Sequence, residues 1–271
     1  MHPYADGRHE HGQNFLTDQR AIRRITNLVA QTSGPILEIG PGRGALTIPL
    51  QRSGRRLTAV EIHPHLVQSL RRKIRPGNQL VQADFLHYRL PRQPSVVVGN
   101  LPFHLTTAIL RKLFHDRWWS QAVLLAQWEA ARRRAGVGGA SMMTAQWAPY
   151  YIFALEGRIP ARAYTPAPSV DAGLFTVTRR PQPLVPWSQR QAYAGFVHTA
   201  FTGRGRGMAQ ILRYALGSSK PEASRLCAAA SIRADALPKQ LSAQQWSTLW
   251  RTAPAMPPSR KFQRRREGSS R

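Results

Sequence analysis

At 271 residues the chain exceeds the usual span of one domain, which leaves room for one large or two unequal units with ample core. Its 39 Lys and Arg against 13 Asp and Glu give a formal charge of +26, a field suited to a polyanion and to nucleic acid before any other. No run approaches the roughly 18 apolar residues of a membrane helix, and the opening MHPYADGRHEHG lacks the apolar core of a signal peptide. A cytoplasmic protein with no membrane partner is expected. The single Cys227 excludes an internal disulfide framework and a cysteine-based zinc cluster. His9, His11, His63, His65 and His87 make no metal-ligand pattern, so no metal is expected.

From about residue 19 to 180, short β-branched or apolar runs alternate with helical stretches, the pattern of an α/β fold with a parallel sheet covered by helices. In chain order the predicted strands are ILEIG 36–40, LTAVEI 57–62, LVQAD 80–84, SVVVGN 95–100 and AVLLAQ 122–127. Two further runs, YIFALEGRI 151–159 and GLFTVTRR 173–180, lie too close together for an intervening helix and are expected to pair antiparallel at an edge. That makes about seven strands in a mostly parallel sheet. Past Pro181 and Pro183 the spacing of apolar residues becomes helical, and residues 183–253 carry nine Lys or Arg against Glu222 and Asp235. The expected organisation is an N-terminal extension at 1–11, a catalytic domain at 12–181, a basic helical domain at 182–253 and a disordered basic tail at 254–271.

LEIGPGRGALT places Gly40, Gly42 and Gly44 between a strand and a helical run, where backbone without side chains lets a ligand approach the helix start. Glu61 ends the next strand, where a carboxylate can accept the two hydroxyls of a ribose. The glycine spacing is one residue short of the dinucleotide fingerprint and no phosphate-loop lysine follows. S-adenosylmethionine, with an adenosine and an amino-acid end, fits better. Asp84 ends the third strand and can accept from an adenine amino group, with Ile62 and Phe85 flanking the ring.

GNLPF ends the fourth strand beside the same crevice. The Asn100 side-chain oxygen can accept a hydrogen bond, Pro102 fixes the turn so that the Leu101 carbonyl can accept another, and Phe103 offers a stacking face. Two acceptors that grip an exocyclic NH₂ suit methylation of a planar amine without a nucleophilic side chain. Methylation at cytosine C5 needs a cysteine beside the base, and Cys227 lies far from these motifs in RLCAAAS, where a buried structural thiol is expected. The ARRRAG run at 131–136 adds to the expectation of RNA contact.

Taken in order, GQNFL 12–16, LEIGPGRG 37–44, VEI 60–62, QADF 82–85, GNLPF 99–103 and RAYTPAPSVDAGLFTV 162–177 resemble the Erm family of ribosomal RNA adenine N6-methyltransferases, over roughly residues 10–250. The resemblance implies a Rossmann-like catalytic domain with a small C-terminal helical RNA-binding domain. It also implies S-adenosylmethionine as cofactor and methylation of one adenine in the peptidyl-transferase region of 23S rRNA by a monomer, conferring macrolide, lincosamide and streptogramin B resistance. By the same resemblance Gln13, Asn14 and Leu16 help close the cofactor site, joined by Gly40, Gly42, Glu61, Ile62, Asp84, Phe85 and Asn100. The resemblance also implies that Asn100 is the amine acceptor, Phe103 the stacking ring and Tyr164 the second aromatic that clamps the extruded base, so Asn100, Leu101, Pro102, Phe103 and Tyr164 are the expected catalytic residues. The rival readings are a small-subunit rRNA adenine dimethyltransferase and a non-catalytic RNA-binding assembly factor. The stretch QWEAARRRAGVGGA 127–140 and the basic tail resemble actinobacterial Erm enzymes, which favours the large-subunit target.

Overall fold

Runs such as SVVVGN leave no polar alternation, so a strand built from them is stable only when both of its faces are covered. The computed structural model, which describes residues 13–253, collects these runs in one sheet. In chain order the elements are β1 (Phe15–Leu16), α1 (Gln19–Ala30), β2 (Ile36–Ile39), α2 (Thr47–Leu50), β3 (Leu57–Glu61), α3 (Pro64–Arg71), β4 (Gln79–Gln82), β5 (Ser95–Asn100), α4 (Thr106–His115), β6 (Trp119–Gln127), α5 (Trp128–Arg134) and α6 (Met142–Trp147). They continue with β7 (Tyr151–Ile159), β8 (Tyr164–Thr165), β9 (Ala172–Arg179), α7 (Arg190–Thr202), α8 (Met208–Leu216), α9 (Lys220–Ala229) and α10 (Ala243–Thr252).

Seven strands form the main sheet in the order β4-β3-β2-β5-β6-β9-β7. β4, β3, β2, β5 and β6 run parallel, and β9 pairs antiparallel with β6. All seven predicted runs are strands of this sheet. β7 takes the edge beside β9, and its alternating burial is that of a strand with one open face. Val96, Val97 and Val98 at the centre are fully buried, while α1 contributes Ile22, Ile25 and Val29 to the core and α4 contributes Ile109, Leu110 and Leu113. Asp18 accepts the Ala21 N–H at 2.7 Å and so starts α1 where the strap of β1 ends. The chain steps outward from β2 to β3 and β4, then crosses back to β5, so strand order reverses between β2 and β5. A crevice opens at such a reversal above the strands' carboxyl ends, which here are Ile39 and Asn100.

The described residues divide into two compact units, 13–132 with 153–179, and 133–152 with 180–253. The domain boundary drawn from composition differs, because residues 133–152, up to the first two residues of β7, group with the helical unit. The reason is aromatic packing and backbone bonding that composition does not display. The Tyr193 hydroxyl on α7 donates to the Ala145 carbonyl of α6 at 2.9 Å, and the Tyr150 ring lies 4.4 Å from that of Trp187. The Leu184 N–H donates to Pro149 O, and Arg180 donates from its backbone to Tyr150 O and from Nε to Ala148 O. Within this unit α9 and α10 each begin with a capping box, Ser219 with Glu222 and Ser242 with Gln245, and Phe196 packs against Trp246 and Trp250. Cys227 is buried in α9, where burial pushes its thiol up and keeps it inert. The tail expected to be disordered lies outside the described residues.

Candidate active site

The loop after β2 brings glycine backbone to the crevice. Gly40 has φ +62°, donates its N–H to Val60 O at 2.9 Å, and a side chain there would meet nothing within 4 Å, so the space above β2 is open. Gly42, at φ +54°, donates its N–H to Glu61 Oε2 at 3.0 Å, and a Cβ on it would come within 3.2 Å of the Phe15 ring. The other oxygen of Glu61 accepts the His63 N–H at 3.0 Å. Two main-chain donors therefore orient this nearly buried carboxylate at the end of β3, and each oxygen keeps a further lone pair for a ligand hydroxyl.

One strand further out, Asp84 Oδ1 accepts the Leu86 N–H at 2.8 Å and Oδ2 lies 2.8 Å from His87 Nδ1. Ile62, beside Glu61, is 52% exposed, an apolar surface open to a flat ligand. Phe85 differs from expectation. Its ring is buried and lies 5.8 Å from the Lys112 ammonium of α4, so packing under α4 leaves it little face for a ligand. Burial also lowers the Lys112 pKa, against the pull of Asp116 and Asp84.

At the exit of β5 the Asn100 side chain donates from Nδ2 to the Asn14 carbonyl at 3.1 Å, while Oδ1 is buried with no hydrogen-bond partner among the described residues. An unmatched buried acceptor costs about 1–3 kcal/mol, so this oxygen is poised for a donor. The Leu101 N–H donates to Leu125 O at 3.0 Å and ties the turn to β6, while the Pro102 carbonyl accepts the Leu105 N–H and the Thr106 hydroxyl and so leads the chain into α4. Phe103 is half-buried against the core cluster that includes Leu16 and Tyr164.

The segment carrying Asn14 is held as a strap. β1 pairs antiparallel with β8, Phe15 opposite Thr165 and Leu16 opposite Tyr164, and Thr17 and Asp18 both donate N–H groups to the Ala163 carbonyl. The sequence thus brings Asn14, Gly40, Gly42, Glu61, Ile62, Asp84 and Asn100 to one edge of the sheet. Two residues fall elsewhere. Leu16 and Tyr164 face inward in the two-strand ladder and are core residues, 4% and 3% exposed, so Tyr164 presents no open stacking face. Its hydroxyl is buried with no hydrogen-bond partner among the described residues, and burial pushes the phenol well above its ordinary pKa. Gln13 lines a cleft with Phe15 and Arg43.

Sequence reasoning missed Glu38 in the middle of β2. Its carboxyl is 1% exposed and Oε2 has no hydrogen-bond partner among the described residues. Burial raises its pKa to about 8, with the Thr47 hydroxyl opposing the rise and the Glu61 carboxylate adding to it. The signal was an acid inside the otherwise apolar run ILEIG, directly below the glycine loop.

The family model for ribosomal RNA adenine dimethylase matches residues 5–252. The chain belongs to this family. An rRNA adenine N-6-methyltransferase of Corynebacterium diphtheriae is 54% identical over 214 residues, 79% of this chain and 85% of that relative. The mycinamicin-resistance protein MyrB of Micromonospora griseorubida is 41% identical over 250 residues, 92% of this chain and 80% of that one. Among solved structures, the 23S rRNA methyltransferase ErmE superposes with a TM-score of 0.81 at 30% identity, covering 89% of this chain and 99% of that one. Membership in the dimethylase family identifies the sheet as a Rossmann-like methyltransferase fold, and the family match runs through both compact units.

Proposed function

We propose that this rRNA adenine methyltransferase transfers methyl groups from S-adenosylmethionine to N6 of one adenine in the peptidyl-transferase region of 23S rRNA, acting as a cytoplasmic monomer. The outcome is resistance to macrolide, lincosamide and streptogramin B antibiotics, since methylation crowds the drug site and removes a hydrogen-bond donor. The observation that carries the reading is the buried, unpartnered Asn100 oxygen at the strand-order reversal. The names of the relatives, one acting on 23S rRNA and one conferring mycinamicin resistance, support the target.

The residues present fit the cofactor. Glu61 takes the ribose hydroxyls, Ile62 lies along the adenine, Asp84 accepts from its amino group, and the open backbone at Gly40 and Gly42 admits the amino-acid end. The unmatched Glu38 oxygen gives an ammonium a partner beneath that loop. When bound, S-adenosylmethionine supplies a methyl group on a positively charged sulfur. Asn100 Oδ1 and the Leu101 carbonyl accept the two N6 hydrogens of an adenine extruded from its helix, and in doing so draw the nitrogen lone pair out of conjugation. Phe103 carries the base by stacking, worth about 1–3 kcal/mol. Tyr164 acts from the core side, holding the strap that anchors Asn100.

Tritium transfer from labelled S-adenosylmethionine to whole rRNA, followed by mass spectrometry of the modified fragment, tests the proposal. N6-methyladenine in 23S rRNA is expected. Label in small-subunit rRNA alone would overturn the target, and no transfer to either rRNA would overturn the reaction.

A further inference from the structure

A cleft of about 470 Å³ lies along the strap, lined among others by Gln13, Phe15, Arg43, His65, Ser69 and Lys73. Side chains alternate across a strand, so while Leu16 enters the core, Phe15 turns to this cleft. His65, Ser69 and Lys73 recur every fourth residue, so α3 and the turn after it present one polar, basic stripe to the cleft. On the opposite wall the Arg43 guanidinium lies 4.3 Å from the centroid of the Phe15 ring, which holds this otherwise mobile cation in place. Among the described residues no Asp or Glu lines the cleft, and Arg43, His65 and Lys73 have no carboxylate partner.

Arg43, Lys73 and the His65 imidazole, gathered with no carboxylate among the described residues, form a local positive well, and the hydroxyl and amide beside them add donors. The volume is that of a site for a molecule of nucleotide size. Resting on the reading of the protein as an rRNA methyltransferase, we propose that this cleft is a groove for backbone phosphates of the substrate RNA next to the target adenine. Arg43 and Lys73 neutralise phosphate oxygens, while Ser69 and Gln13 donate to them. The groove positions the strand without reading its bases.

The test measures binding of a fluorescent 23S rRNA hairpin to the full chain between about 50 and 200 mM salt, with wild type, Lys73→Glu and the double variant Arg43→Gln/Lys73→Glu. All three side chains of the groove's charged set are exposed, so these substitutions leave the core untouched. The double variant is expected to bind RNA about tenfold more weakly, with the slope of log K against log salt reduced by about 1 to 2. Lys73→Glu alone is expected to show roughly half of that reduction and to keep the dissociation constant for S-adenosylmethionine, measured without RNA, within about twofold of wild type. Unchanged RNA affinity and salt slope in the double variant would overturn the proposal. So would stabilisation of the wild type by ATP that the double variant loses while its RNA binding stays the same, since that assigns the groove to a soluble nucleotide. Methyl transfer by the wild type is scored separately, so an inactive wild type that still shows the salt dependence would overturn the proposed function and leave the groove standing.

Discussion

The carboxyl ends of β3 and β5 stand two strands apart and are finished in opposite ways. At β3, Glu61 has each oxygen occupied by a backbone N–H, whereas at β5, Asn100 has its nitrogen tied down and its oxygen without a partner among the described residues. The first end is pre-organised, its carboxylate already oriented by main chain, so a ligand there would meet a group that needs no further ordering. The second keeps one hydrogen bond unmade, which makes it sensitive to whether a donor enters the crevice. A methyltransferase that binds its cofactor tightly and spends its remaining interaction on the reacting amine would be divided in this way.

Breaking the comparison at the β5 end has the largest expected effect. Asn100→Ala should lower methyl transfer to rRNA by about 100- to 1000-fold, the range for loss of one positioned group that stabilises developing charge, with cofactor binding preserved. Single-turnover transfer with labelled cofactor beside calorimetry separates the two, and a fully active variant would remove Asn100 from the reaction. Next comes the acid buried beneath the crevice. Glu38 titrates near 4.5 when unfolded and at about 8 in the fold, so the stability it contributes is complete below about pH 4.5 and is lost as pH rises toward 8. Between pH 5 and 8 the loss is on the order of 3 kcal/mol. Glu38→Gln, neutral throughout, should flatten that decline in urea melts at several pH values and leave the variant more stable than wild type at pH 8. Equal slopes for the two proteins would show that the carboxyl is ionised in the fold. The smallest effect is expected at β3, where Glu61→Gln keeps the shape but loses the charge. Its affinity for S-adenosylmethionine should fall about tenfold by calorimetry, the value of one charge-assisted hydrogen bond, and an unchanged affinity would take Glu61 out of the cofactor site.

The strands were legible because a sheet covered on both faces leaves unbroken apolar runs, as in SVVVGN and LTAVEI. The positions that end those strands were legible for the same reason: once the runs are located, Glu61, Asp84 and Asn100 mark their exits, and these are the candidate site residues. What stayed hidden depends on contacts distant in sequence. β1 and β8 are two residues each, too short for any period, and Leu16 meets Tyr164 across 148 positions, so the burial of that tyrosine could not be seen in RAYTPAPSV. The allegiance of residues 133–152 to the helical unit rests on Tyr150 and Ala145 meeting Trp187 and Tyr193, while the proline-rich stretch at 181–183 drew the boundary further on. Glu38 escaped notice because its neighbours are the apolar residues that make β2 a strand.

The partner of the Asn100 amide is a peptide carbonyl and not a side chain. Replacing Asn14 by another residue therefore keeps the latch, but sliding β1 by one position along β8 would turn that carbonyl away. A proteolytic cut or insertion that dislodges the first strand should silence the enzyme while the sheet behind it remains folded.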